Sequence, residues 1–318
     1  MPSFVSKFLF FVGFFFVKRV LGEFLKSDIS VAIRNSYALD YYEPLFSDID
    51  ITLLTSSKQK NVIAKILQKL KAQKTWNRMI GEINVYYSED LGQVLRCCNP
   101  LELRRDPFIA SHGHVLNPPT LEEKIVFFAK MLEADHVALQ VRPETRQKKW
   151  DYHSRQVFAD GLQVRSPSVD HLLETVASHW QISDTGWKNS LREYFSRKNQ
   201  LMTFPHAELE ALLRENPWWW ACFANKFCFL NLNVELSSLQ WRCLLATLRW
   251  EIWGIYVQSA DIEEGSLTLH SQNLTRFLSH LLTIPTLEEF LQRELKEILD
   301  VHEKLFARFR DPAQRPGF

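Results

Sequence analysis

The chain has 318 residues, 46% of them hydrophobic, and a formal net charge of +1. That length favours two domains, and the apolar share is enough to build real cores. Near-neutrality argues against a dedicated nucleic-acid binder, which would be markedly basic.

Phe8 to Val17 is an almost unbroken apolar run, with Lys7 before it and Lys18-Arg19 after it. It is long enough for a signal-peptide core but short for a membrane span, and no small-x-small cleavage site follows. Phe4, Phe8, Phe11 and Phe15 recur at helical spacing, so a helix packed on the following sheet is preferred over a membrane or export segment.

Val31-Ala32-Ile33 reads as a short apolar strand ending at Asn35-Ser36. Eleven residues then separate Ser36 from Asp48, which opens Asp48-Ile49-Asp50-Ile51. In an extended strand Asp48 and Asp50 share one face and Ile49, Ile51 and Leu53 the other. Two neighbouring carboxylates repel unless a cation lies between them, and paired oxygen ligands beside a phosphate suit Mg²⁺. A solvated acidic strand edge is the alternative.

Lys58 to Trp76 carries a helical stripe of Val62, Ile63, Ile66, Leu67 and Leu70. Its many lysines read as a solvated face rather than as a polyanion track. Glu82 to Leu91 follows, with Ile83, Val85 and Tyr87 alternating against Glu82, Asn84 and Tyr86. Glu82 therefore falls on the polar face of a strand.

A turn residue with a small hydroxyl, a loop, a strand opening Asp-x-Asp and a later glutamate before an alternating strand together resemble the nucleotidyltransferase superfamily, whose fold is that of DNA polymerase beta. The pattern is most similar to the aminoglycoside adenylyltransferase branch. The resemblance covers about residues 30 to 91. It implies that Asn35 and Ser36 hold the triphosphate, that Asp48 and Asp50 bind Mg²⁺, and that Glu82 takes the proton of the acceptor hydroxyl. The family's glycine is Asn35 here, a residue that tolerates positive φ better than most. Expected partners are a nucleoside triphosphate, ATP first, and a hydroxyl-bearing acceptor. A small molecule is preferred over tRNA or protein as that acceptor. A nucleotide-binding or regulatory protein with a decayed site remains the alternative.

Residues 92 to 119 show no regular period. Cys97-Cys98 with His112 and His114 do not have zinc-ligand spacing. The five cysteines, an odd number without a framework, suggest reduced thiols in a cytoplasmic protein. Asn117-Pro118-Pro119 breaks the chain, and a capping box of Thr120 with Glu123 opens a helical second half. The expected architecture is α+β: a catalytic domain with a small mixed β-sheet over 1–118, then an all-α acceptor-binding bundle over 119–318.

Helices are expected at Leu121 to Leu139, Val169 to Trp180, Trp187 to Phe195, Pro205 to Arg214, Trp218 to Leu230, Ser238 to Val257, Leu274 to Leu282 and Leu287 to Arg310. A second capping box, Thr286 with Glu289, is expected before the last. The tryptophans of this half are read as core residues. The cationic run from Arg142 to Arg155 is read as a hydrated connection. A monomer or weak dimer is expected, with no membrane association.

Overall fold

A computed structural model describes residues 29–34, 49–72, 80–106, 117–141, 169–230, 233–258 and 264–310, with Phe15, Gly22 and Ile109. The Phe-rich amino terminus other than Phe15 and Gly22, the Arg142 to Arg155 run, and Asn35, Ser36, Asp48, His112 and His114 lie outside the described residues. Three strands form one sheet: β1 (Ser30–Arg34), β2 (Ile49–Thr55) and β3 (Ile80–Tyr87), in the order β1-β2-β3. β1 runs antiparallel to β2, and β3 runs parallel to it after a crossover through α1 (Lys60–Ala72). This is the expected small mixed sheet, and most of the remaining described chain is helical.

As the central strand, β2 is buried on both faces. Ile49, Ile51 and Leu53 join Ile63, Ile66 and Leu67 of α1 in the apolar core, while Asp50 and Thr52 are buried on the opposite face. Alternation therefore does not separate core from solvent here. It separates an apolar interior from a polar one.

The stretch read as aperiodic contains two short helices, α2 (Leu91–Cys97) and α3 (Pro100–Arg104). Seven and five residues are too few for a 3.6-residue repeat to register. The signal that was present is Asn99-Pro100: Asn99 Oδ1 accepts from Leu101 N at 3.0 Å, with proline at the first helical position.

The helical half comprises α4 (Leu121–Val141), α5 (Val169–His179), α6 (Thr185–Arg197), α7 (His206–Glu215), α8 (Pro217–Phe223), α9 (Ser238–Gln258), α10 (Glu264–Leu281) and α11 (Glu289–Arg310). The Thr120 and Glu123 capping box forms in both directions: Thr120 N donates to Glu123 Oε2 at 2.8 Å and Glu123 N to Thr120 Oγ1 at 3.3 Å. The second box does not cap its helix. Thr286 lies in a turn and α11 starts only at Glu289, where Gln292 N already bonds Glu288 O. α10 starts ten residues before the expected Leu274, over a polar stretch whose apolar spacing is sparse.

Tryptophan packs the core as expected. Trp187, Trp218 and Trp219 are fully enclosed, and Trp220 stacks on Phe277 with ring centres 5.0 Å apart. All five cysteines are buried free thiols.

α9 ties the two halves together. Its Trp253 Nε1 donates to Tyr86 Oη of β3 at 3.1 Å, and its Tyr256 Oη donates to Asp90 Oδ2, just before α2, at 2.7 Å. One continuous apolar cluster consequently runs from Ile29 to Phe306. α9 also carries Glu251, which accepts from Lys130 Nζ of α4 at 3.3 Å and lies 3.0 Å from His270 Nε2 of α10.

Burial alone would raise the Glu251 carboxyl, but the Lys130 and His270 charges outweigh it and hold it at about 2. A depressed carboxyl contributes stability that is present above its unfolded value and lost as pH falls through its folded value. The wild type should therefore lose stability on acidification from about pH 4.5 to about pH 2 more steeply than Glu251→Gln, as read from urea midpoints across that window.

Candidate active site

The β1–β2 register sets Arg34 opposite Asp50. Between β2 and β3 the pairing slips: Ile49 pairs with Ile80 and Ile51 with Ile83, so β3 carries one extra residue. The Glu82 N–H is turned out of the ladder by this bulge and donates to Asp50 Oδ1 at 2.9 Å. Glu82 in turn pairs through Oε2 with Arg34 Nη2. The sheet thus brings Asp50 and Glu82 together at one end, where β1 finishes and β2 and β3 begin.

The cation beside both carboxylates is a guanidinium. Arg34 is 1% exposed, and its Nη1 also reaches Glu102 Oε1 of α3 at 3.4 Å. Glu102 is shared with Arg105, whose Nη1 lies 2.9 Å from Oε2. With the Asn84 amide set so that its oxygen faces Arg34, that oxygen accepts from Nη1 at 2.8 Å and Nη2 at 3.3 Å. Arg34 Nε finds no hydrogen-bond partner among the described residues.

Burial disfavours the Arg34 charge, but Glu102, Glu82 and Asp50 outweigh that and hold it protonated. A little further along the same face, Asp106 accepts a hydrogen bond from Thr52 Oγ1 and another, at 3.4 Å, from Ile109 N.

Among the described residues Arg34 pairs with Glu82 and Glu102 and acts on Asp50 and Asp106 through its charge, while Arg105 pairs with Glu102. Desolvation pushes the Glu82 and Asp106 carboxyls above the usual carboxylate range, with Arg34 pulling back on both. Glu82 is the member that opens outward: its side chain is 54% exposed, against 6% for Glu102 and none for Arg34. Its carboxyl rests one oxygen on the buried guanidinium while the side chain borders solvent. A half-open carboxylate can be reached by an incoming hydroxyl, which is the geometry a proton acceptor needs.

Of the residues singled out from sequence, Asp50 and Glu82 are brought into contact. Asn35, Ser36 and Asp48 lie outside the described residues. Sequence reasoning missed Arg34, whose signal was an arginine closing an apolar strand. It also missed Glu102, Arg105 and Asp106, in a stretch with no readable period.

Mg²⁺ is poorly served by this donor set. Asp50 and Glu82 are hard oxygen donors, but one Asp50 oxygen is spent on a backbone N–H and Glu82 on Arg34. Among the described residues no group of three His, Cys, Asp or Glu could hold a metal ion. These residues do not by themselves make a magnesium site, and Asp48 would have to complete one.

No family model matches the chain, and neither curated proteins nor solved structures give a significant match. None of the described helices is long and apolar enough to cross a membrane.

Removing one partner of a buried charge network leaves the others uncompensated. Arg34→Met should cost roughly 3–5 kcal/mol of stability near neutral pH by urea or guanidinium unfolding. The loss should shrink on acidification, because protonating Glu82 and Glu102 relieves the repulsion that the substitution exposes.

Proposed function

We propose that the chain is a nucleotidyltransferase that moves a nucleoside monophosphate, AMP from ATP in the first instance, onto the hydroxyl of a small-molecule acceptor. The acceptor oxygen forms a bond to the α-phosphorus, the bond from that phosphorus to the bridging oxygen breaks, and pyrophosphate leaves. The observation that carries this reading is the meeting of Asp50 and Glu82 at one end of the sheet, at two chain positions that the nucleotidyltransferase resemblance singles out.

In this reading Glu82 takes the proton of the attacking hydroxyl. Arg34 holds the Glu82 carboxyl in place and keeps the negative charge of the cluster from dispersing the strands. Ser36 and Asn35 bind the triphosphate. Asp48 and Asp50 are the candidate Mg²⁺ ligands, and the ion would neutralise the departing pyrophosphate.

A second reading, a nucleotide-binding regulatory protein without transfer, is favoured by one observation. The Arg34 ion pair works against the basicity of Glu82 that proton abstraction would draw on.

The test is pyrophosphate release from ATP with Mg²⁺ in the presence of cell extract as the source of acceptor, together with ATP titration calorimetry. Asp48→Asn and Asp50→Asn should each lower release by at least roughly a thousandfold. The amide oxygen that Asp50→Asn leaves in place can still accept from Glu82 N, so the fold should survive that change. Near-normal turnover in both variants contradicts the transfer mechanism. ATP binding by the wild type without release transfers support to the regulatory reading.

A further inference from the structure

A cleft of about 220 Å³ opens where the turn between α2 and α3 meets the amino terminus of α4, α9 and α11. None of Arg34, Asp50, Glu82 or Glu102 lines it. One wall is a single stripe of α9, Arg242, Leu245, Ala246 and Arg249, at the spacing that places residues on one helix face. Seven residues along a helix span about 10 Å, so the two guanidiniums flank an apolar step of Leu245 and Ala246. Arg96 of α2 and Phe290 of α11 also line the cleft, and Phe290 is 48% exposed, an unusual position for a large ring.

The acids of the cleft are engaged. Glu294 pairs with Arg249, Glu122 lies 3.9 Å from Arg242 Nε, and Glu123 keeps its charge but is turned onto Thr120 N at the positive amino-terminal end of α4. Arg242 Nη1 also bonds Ser238 Oγ at 3.2 Å. Arg96 is exposed and enters no ion pair among the described residues. The cleft thus offers one uncommitted guanidinium beside an apolar step and an exposed aromatic edge.

We infer that this cleft binds a small organic anion: a carboxylate or phosphomonoester on a flat apolar body. The anionic head meets Arg96, whose planar fork matches either oxyanion, and the body lies against Leu245, Ala246 and Phe290. The inference does not depend on the transfer reaction.

Titration calorimetry of the whole protein with phenyl phosphate, benzoate, inorganic phosphate and benzamidine tests it. Phenyl phosphate or benzoate should bind the wild type, and whichever binds more tightly identifies the head group. Arg96→Ala and Phe290→Ala, both at exposed positions, should each weaken that binding by about tenfold or more, with urea midpoints confirming that the variants are folded. Inorganic phosphate and benzamidine should bind more weakly than the preferred anion, and Asp50→Asn should leave its binding unchanged. No binding of either organic anion, unchanged binding in Arg96→Ala, or equal binding of the benzamidine cation would overturn the proposal.

Discussion

One buried guanidinium governs the polar side of the sheet. Arg34 ends β1 inside the protein, and a charge so placed is tolerated only if opposite charges surround it. Glu82, Glu102 and Asp50 do so, each from a different element. The arrangement works in both directions: without Arg34 the carboxylates would repel, and without them Arg34 would be an isolated buried cation. The β3 bulge belongs to the same compromise, because it frees the Glu82 N–H for Asp50 while aiming the Glu82 carboxyl at Arg34.

The helical half packs against the same strand that carries Glu82. α9 grips the carboxyl end of β3 through Trp253 on Tyr86 and the segment before α2 through Tyr256 on Asp90, so the end of the sheet away from Asp50 and Glu82 is held by residues more than 160 positions away in the chain. α9 also forms the wall of the arginine-lined cleft. A single helix is therefore common to the sheet, the Glu251 charge cluster and the proposed anion site. Rigid contact through α9 gives the two sites a shared scaffold without giving them shared residues.

Much of the architecture was legible because its signals are local. Strand alternation placed Asp50 and Glu82 on polar faces, and the Thr120 and Glu123 box marked a real helix start. The arginine between the acids was not legible, because an Asp-x-Asp pattern announces that a cation is needed without saying which one. A metal and a guanidinium satisfy the same electrostatic demand. Glu102 and Asp106 were hidden for a different reason: α3 is one turn long, and its contribution depends on tertiary packing that no repeat encodes. Thr286 failed as a cap because the turn after Ile284 delays the helix, which a four-residue motif does not foresee.

The strength of coupling inside the cluster tests the account most directly. A double-mutant cycle on Arg34→Met and Glu102→Gln, read by equilibrium unfolding, isolates their interaction from the general cost of each change. If Arg34 is held in place by its carboxylates, the coupling energy should be about 1–3 kcal/mol, with the double variant more stable than the sum of the single losses allows. Additive losses, with coupling below about 0.5 kcal/mol, would contradict the claim that this buried charge organises the site.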